Sequence, residues 1–167
     1  MCCAYVPVRG WSRPSSDTIF DMANTKTIGD VSEAIVLAEF LKAGFPVLLP
    51  FGENQRYHLV VEIGGRFLRV QVKTCQSDGS ALVFNATSHD GHRPRQSYRG
   101  DADLFAVYSP LTKQVYVLAV DEVPETRVWL RLTPAKNNQV LGIRQAELHT
   151  LEAWVERQSS GVVTAGS

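Results

Sequence analysis

The chain has 167 residues, 44% of them hydrophobic and 20% charged, which is the composition of one ordinary globular domain. Seventeen basic and 17 acidic residues give a formal net charge of zero, so any surface that binds a polyanion must be a local basic patch. The three cysteines, Cys2, Cys3 and Cys75, form no CxxC pair. This excludes a zinc-finger or disulfide framework and is typical of a cytoplasmic protein, and without an apolar run of about 18 residues no membrane partner is expected.

Residues 1–21 are predicted to form a flexible leader, because Pro7, Gly10 and Pro14 interrupt every periodic pattern. Met22 follows, just before a helix-start signal, so the natural translation start is expected there. One domain is predicted from residue 22 to residue 157. The tail at 158–167 is rich in serine and glycine and is predicted to be disordered.

The first helix is predicted from Val31 to Ala43. Asp30 is a good N-cap, Glu33 follows it at the spacing of a capping box, and Gly44 ends the helix. A broad apolar stripe predicts that the helix is largely buried. Its members are Val31, Ala34, Ile35, Leu37, Ala38, Phe40 and Leu41.

Alternating or continuous apolar runs predict the strands. They cover residues 46–51, 57–63, 66–74, 81–86, 104–108, 114–120 and 128–132, and a second helix is predicted over 142–156. Tyr108, Tyr116 and Trp129 lie in apolar runs and are expected in the core. In the strand at 66–74, Gln71 and Lys73 share the polar face.

A polar segment at residues 88–100 is predicted to be an exposed loop. It carries Arg93, Arg95 and Arg99 and has no acidic residue between Gly91 and Gly100. Such a local excess of positive charge is either a solvated loop or a patch that contacts DNA phosphates.

Glu33, Gln71 and Lys73 are the candidate catalytic residues. The first helix is expected to pack on the sheet face that carries Gln71 and Lys73, which would bring Glu33 to them. Phosphodiester hydrolysis needs hard oxygen ligands for a divalent metal and a cation near the phosphate, and these side chains supply both. The alternatives are that Glu33 is only a capping acid and that Lys73 is a solvated lysine on an exposed face.

Four short blocks resemble a known family. They are TKTIGDVSEA at 25–34, PFG at 50–52, RYHLV at 56–60 and RVQVKT at 69–74. The blocks are similar to the PD-(D/E)XK endonucleases associated with group I introns. Looser similarity continues through residues 103–108 and 131–132 to 136–139, so the resemblance covers most of the chain from Met22 to about Leu151.

The resemblance implies an α/β fold with a restriction-endonuclease-like core, in which helices flank a mixed central β-sheet. It implies Mg²⁺ (or Mn²⁺) as cofactor, double-stranded DNA as partner and a homo-oligomer as the assembly. Glu33 and position 58 would hold the metal, and Glu33, Gln71 and Lys73 would be catalytic. Lys136 would join Arg93, Arg95 and Arg99 in contacting DNA.

Position 58 departs from this pattern, because the family motif reads Arg-Tyr-Asp and this chain has His58. A neutral imidazole offers one nitrogen, which Mg²⁺ disfavours, where an aspartate offers two anionic oxygens. His58 is either a metal ligand or an ordinary polar strand residue. The sequence therefore predicts a DNA-binding, metal-dependent endonuclease of weakened competence. The alternatives are a catalytically inactive DNA-binding relative and a protein-interaction module on the same fold.

Overall fold

The computed structural model describes residues 25–52, 54–88, 94–133 and 144–161. The predicted leader at 1–21, the predicted start at Met22, and Arg93 and Lys136 lie outside these residues. Neither helix in the described ranges has an apolar stretch that could span a lipid bilayer.

Two α-helices and eleven strands are present in the described residues. The helices are α1 (Thr25–Lys42) and α2 (Leu151–Gly161). The strands are β1 (Val47–Leu48), β2 (Leu59–Ile63), β3 (Arg66–Thr74), β4 (Gln76–Ser77), β5 (Ala81–Asn85), β6 (Thr87–Ser88), β7 (Gln96–Ser97), β8 (Leu104–Ser109), β9 (Gln114–Ala119), β10 (Arg127–Arg131) and β11 (Arg144–Gln145). Short 3₁₀ turns occupy Val120–Glu122 and Ala146–His149.

The central sheet has five strands in the order β1-β2-β3-β8-β9. Strands β3 and β8 are parallel, and the other neighbours in this sheet are antiparallel. The mixed sheet predicted from the sequence is therefore confirmed. A second sheet has the order β11-β10-β5-β4, and β6 pairs with β7.

The two faces of the central sheet are covered by different layers. On one face, Val70 and Val72 of β3 share a buried cluster with Val36 and Phe40 of α1, and Trp154 of α2 belongs to the same cluster. The other face carries a cluster that joins β8 to the second sheet. That cluster includes Phe105, Val107, Phe84, Leu82, Val128 and Leu130. The central sheet thus lies between a helical layer and a second sheet.

The first helix begins earlier and is less buried than the sequence indicated. It includes Thr25, so Asp30 lies inside the helix and is not its N-cap, and the predicted capping box is wrong. Gly29 lies inside this helix and does not break it. The fully buried positions are Ser32, Val36 and Phe40, spaced by four residues. Leu41 of the predicted stripe is 51% exposed.

The predicted second helix over 142–156 is interrupted. Arg144–Gln145 is a strand, a 3₁₀ turn follows, and α2 begins after Thr150, whose Oγ1 accepts a hydrogen bond from the amide of Ala153. Helix α2 then continues through Gly161, so the predicted tail boundary at residue 158 falls inside it.

Candidate active site

The polar face of β3 carries Gln71 and Lys73, as strand alternation requires. Their parallel partners on β8 are Phe105 and Val107, which belong to the core under the second sheet. The first helix packs on the opposite face, with Val70 and Val72. The prediction that the helix covers the face of Gln71 and Lys73 is therefore wrong, because the larger apolar area of β3 lies on the valine face.

Glu33 still reaches the site, because α1 is attached to the end of β3. The buried Ser32 hydroxyl lies 2.6 Å from Thr74 Oγ1, and it also donates to the carbonyl of Ile28 at 2.9 Å. These contacts hold the helix at the carboxyl end of β3. From the neighbouring position, Glu33 Oε1 lies 3.0 Å from His58 Nδ1.

His58 connects the helix to the strand. It directly precedes β2, and its amide donates to the carbonyl of Val70 at 2.9 Å, so the β2–β3 register continues and His58 stands opposite Gln71. Gln71 Nε2 lies 3.3 Å from His58 Nε2. An amide nitrogen is a donor, so this orientation of Gln71 assigns His58 an acceptor at Nε2 and a proton at Nδ1.

The contact between His58 and Glu33 is short but is not an aligned hydrogen bond. The two atoms are within ion-pair distance, yet the buried Nδ1 has no hydrogen-bond partner of good geometry. Burial lowers the pKa of His58 from 6.5, and the charge of Lys73 lowers it further. A neutral ring is therefore expected at neutral pH, and the pair is a carboxylate beside an uncharged imidazole.

Lys73 is held by an aromatic residue that the sequence assigned to an exposed loop. Its Nζ donates to Tyr98 Oη at 3.0 Å and lies 4.4 Å from the centre of the Tyr98 ring. The guanidinium of Arg56 lies 4.8 Å from the same ring, and Arg56 pairs with Asp101 at 2.5 Å. Tyr98 itself is buried, with its ring edge-on to Phe105 at 5.6 Å.

Burial and nearby charges shift the titration of the remaining groups. Burial lowers the pKa of Lys73 from 10.5 to about 8, and repulsion from Arg56 is the second cause. Burial raises the pKa of Glu33, and the negative charge of Asp30 raises it further. Glu33 and Lys73 are thus both held where their charged forms are less favourable than in water.

These donors do not fit Mg²⁺, which prefers several hard oxygen ligands, usually carboxylates. Glu33 supplies a carboxylate, His58 supplies nitrogen, and Gln71 supplies a neutral amide oxygen. Gln71 Oε1 is buried and finds no hydrogen-bond partner among the described residues. Within those residues, no group of three or more histidine, cysteine or acidic side chains is arranged to hold a metal ion.

The predicted DNA-binding residues are only partly covered by the described residues. Arg95 is exposed. Arg99 pairs with Glu125 at 2.9 Å, so its charge is partly compensated. The segment around them lies beside the site, because Arg56 donates to Ser88 Oγ and to the carbonyl of Gln96.

The family model of the PD-(D/E)XK endonucleases matches residues 23–152 of the chain. The chain belongs to this family. Its fold is therefore that of a PD-(D/E)XK protein.

One further protein sequence and two solved structures are similar to this chain. Protein 5.3 of Escherichia phage T7 is 33% identical over 96 residues, which is 57% of this chain and 80% of that protein. The bacterial homing endonuclease I-Ssp6803I has a TM-score of 0.68 and 25% identity, covering 87% of this chain and 100% of that chain. The Holliday junction resolvase Hjc of Archaeoglobus fulgidus has a TM-score of 0.41 and 21% identity, covering 72% of this chain and 94% of that chain.

The structure brings together Glu33, His58 and Gln71 in direct contact, with Lys73 close enough to shift the pKa of His58. Sequence reasoning missed Arg56 and Tyr98, which contact one another and Lys73 in the candidate site. Arg56 stands two residues before His58, at the start of the RYHLV block, which was the available signal. The burial of Tyr98 had no signal, since its neighbours are polar.

Proposed function

We propose that this chain binds double-stranded DNA as a PD-(D/E)XK protein and does not cleave it with Mg²⁺. The family membership supports DNA as the partner. The loss of cleavage follows from position 58, where the resemblance to the family requires an aspartate and the chain has His58.

One observation carries the proposal: His58 lies between Glu33 and Gln71, with Nδ1 3.0 Å from the Glu33 carboxylate and Nε2 3.3 Å from the Gln71 amide nitrogen. The nitrogen that a metal would need already faces the Gln71 amide. Without a carboxylate at position 58, the contacts among Glu33, His58 and Gln71 supply one anionic ligand, and Mg²⁺ prefers several. The cations Lys73 and Arg56 remain, and they favour a phosphate at this position.

A divalent-metal-dependent endonuclease is the second candidate function, because Glu33, Gln71 and Lys73 are all retained. Mn²⁺ accepts imidazole more readily than Mg²⁺, so activity restricted to Mn²⁺ would support this candidate. With one site per chain, cutting both strands would require a homo-oligomer.

The test compares plasmid nicking by the natural protein, His58→Asp and the matched neutral variant His58→Asn, each with Mg²⁺ and with Mn²⁺. The natural protein and His58→Asn are expected to be silent with Mg²⁺. His58→Asp is expected to nick the plasmid, because it restores a second carboxylate beside Glu33. Mg²⁺-dependent cleavage by the natural protein at the rate of His58→Asp would refute the proposal.

Thermal unfolding gives a readout that does not depend on cleavage. Two carboxylates about 4 Å apart repel each other by about 1 to 4 kcal/mol, so His58→Asp should be less stable than His58→Asn without metal. Mg²⁺ should raise the melting temperature of His58→Asp and leave the other two unchanged. An equal rise in all three proteins would place the metal elsewhere.

A further inference from the structure

The outer face of β10 carries two arginines on either side of a tryptophan. Burial alternates along this strand, with Val128 and Leu130 in the core and Arg127, Trp129 and Arg131 outside. Trp129 is 49% exposed, so its expected place in the core is wrong. The apolar run contained the tryptophan, but strand alternation directs its side chain outward.

A polar hollow lies beside this tryptophan. It measures about 310 Å³ and is lined by Arg127 and Trp129 together with Gln76, Ser77 and Asn85. The strand register explains this arrangement, because Trp129 stands opposite Val83 and Arg127 stands opposite Asn85 on β5. The indole ring therefore forms one wall of a concave surface and is not an isolated apolar residue.

The arginines of this face are not neutralised by neighbours. Arg56, Arg69 and Arg99 each pair with a carboxylate, whereas in the part of the chain that the structure describes neither Arg127 nor Arg131 is within ion-pair distance of one. Asp78 also lines the hollow and stays ionised, because its Oδ1 accepts hydrogen bonds from the amides of Ser80 and Ala81, but in the described residues it forms no ion pair with Arg127. Glu147 lines a separate hollow together with Arg131. The exposed side chains of β10 itself carry two positive charges and no negative one.

The hollow adjoins the carboxyl end of β3. Thr74, the residue after Lys73, lines it, and β4 follows directly along the chain. Arg127 and Arg131 are four positions apart on a strand, which is about 13 Å. Two guanidinium groups at that separation can reach separate phosphates of one DNA strand, and an indole between them can pack on a sugar or base.

We propose that Arg127, Trp129 and Arg131 form a second contact surface for the DNA that occupies the candidate active site. The inference rests on the proposed function, since it assumes that the chain binds DNA. It adds to that function a surface outside the catalytic cluster. Charge complementarity selects a polyanion as the occupant over a second copy of this neutral chain.

The experiment measures the affinity for a fluorescent DNA duplex, without divalent metal, across a series of salt concentrations. The variants are Arg127→Gln/Arg131→Gln and Trp129→Ala. Lys42→Gln/Arg66→Gln is a matched control that removes two exposed positive charges elsewhere. Circular dichroism of each variant checks that it is folded before its affinity is compared.

Removing both arginines should weaken binding and reduce the slope of log affinity against log salt by up to about 1.8, or about 0.9 for each lost phosphate contact. Trp129→Ala should weaken binding about fivefold or more. The control should change neither quantity. Failure of the natural protein to bind DNA would refute the proposed function. Normal binding by the natural protein with an unchanged slope in the arginine variant would refute this inference alone.

A second copy of the chain is the competing occupant, and sedimentation distinguishes it. The DNA-contact proposal expects the natural protein and Arg127→Gln/Arg131→Gln to have the same mass without DNA. Conversion of an oligomer to a monomer by that variant would assign the face to self-association and overturn the proposal.

Discussion

Replacing Lys73 with methionine should make the protein more stable at neutral pH. Lys73 Nζ is largely withdrawn from water, and its pKa is lowered from 10.5 to about 8 by burial and by Arg56. Methionine has a similar length and no charge, so it occupies the same space without the cost of desolvating an ammonium group.

The size of the effect follows from the pKa difference. At 1.36 kcal/mol per pH unit, a pKa of about 8 in place of 10.5 corresponds to about 3.4 kcal/mol of destabilisation of the charged form. Two contacts of Lys73 offset part of this cost in the natural protein. The contact of its ammonium group with the Tyr98 ring stabilises the fold by about 0.5 to 2 kcal/mol, and the hydrogen bond to Tyr98 Oη stabilises it by about 1 kcal/mol. Lys73→Met loses both contacts. Lys73→Met is therefore expected to gain about 0.4 to 2 kcal/mol in free energy of unfolding.

The pH dependence identifies the cause. Because the folded pKa is lower than the unfolded one, the penalty is fully present below about pH 8 and disappears as the pH rises toward 10.5. Urea unfolding of the natural protein and Lys73→Met at about pH 7 and about pH 10 should show a difference that shrinks with pH. A loss of stability in Lys73→Met at the lower pH, or a gain independent of pH, would refute this reasoning.

Two further predictions concern the predicted loop and the predicted leader. Replacing Arg93, Arg95 and Arg99 with alanine should weaken duplex binding and reduce its salt slope by up to about 0.9 per lost phosphate contact, with Arg99→Ala contributing least because Glu125 already pairs with Arg99. An unchanged slope would exclude the loop from the DNA interface. Deletion of residues 1–21 should change the free energy of unfolding by less than about 1 kcal/mol and leave DNA affinity unchanged, and a larger loss would show that these residues pack on the domain.

The strands of the central sheet were predictable because their side chains alternate or form short buried runs. The predicted strand at 66–74 coincides with β3, and those at 104–108 and 114–120 differ from β8 and β9 by one residue. Turn residues fixed the ends, as with Gly64 and Gly65, both at positive φ between β2 and β3. Local signals sufficed wherever an element was bounded by such residues.

The errors arose where tertiary packing decided between local options. The first helix contains apolar residues around most of its circumference, so the sequence did not reveal which face packs on the sheet. Phe40 sets that face, because its ring lies edge-on to Phe45 and Trp154 at 6.3 and 6.0 Å. Phe45 lies beyond the end of the helix and Trp154 is distant in sequence, so no periodic pattern in α1 contains them.

Residue chemistry indicated Glu33, Gln71 and Lys73, whereas position 58 entered the candidate site only through the family resemblance. The spacing of Gln71 and Lys73 placed both on one strand face, but neither residue by itself indicated that His58 would stand opposite Gln71. That contact depends on the β2–β3 register, which the Gly64–Gly65 turn fixes. Tyr98 and Arg56 complete the site through contacts across more than 20 positions of the chain, a separation that a sequence pattern does not encode.

The low pKa of Lys73 and the neutral His58 are two aspects of one change. A carboxylate at position 58 would stand where it lowers the energy of the ammonium group, and the pKa of Lys73 would rise toward its ordinary value. With a neutral imidazole there, Lys73 keeps the cost of burial and the repulsion of Arg56 without a compensating anion. The same absence leaves Glu33 as the only acid that contacts His58 in the described residues, which reduces the repulsion that a DNA phosphate meets without metal. Under the proposed function, histidine at position 58 would therefore both remove a ligand for Mg²⁺ and favour binding of DNA that is not cut.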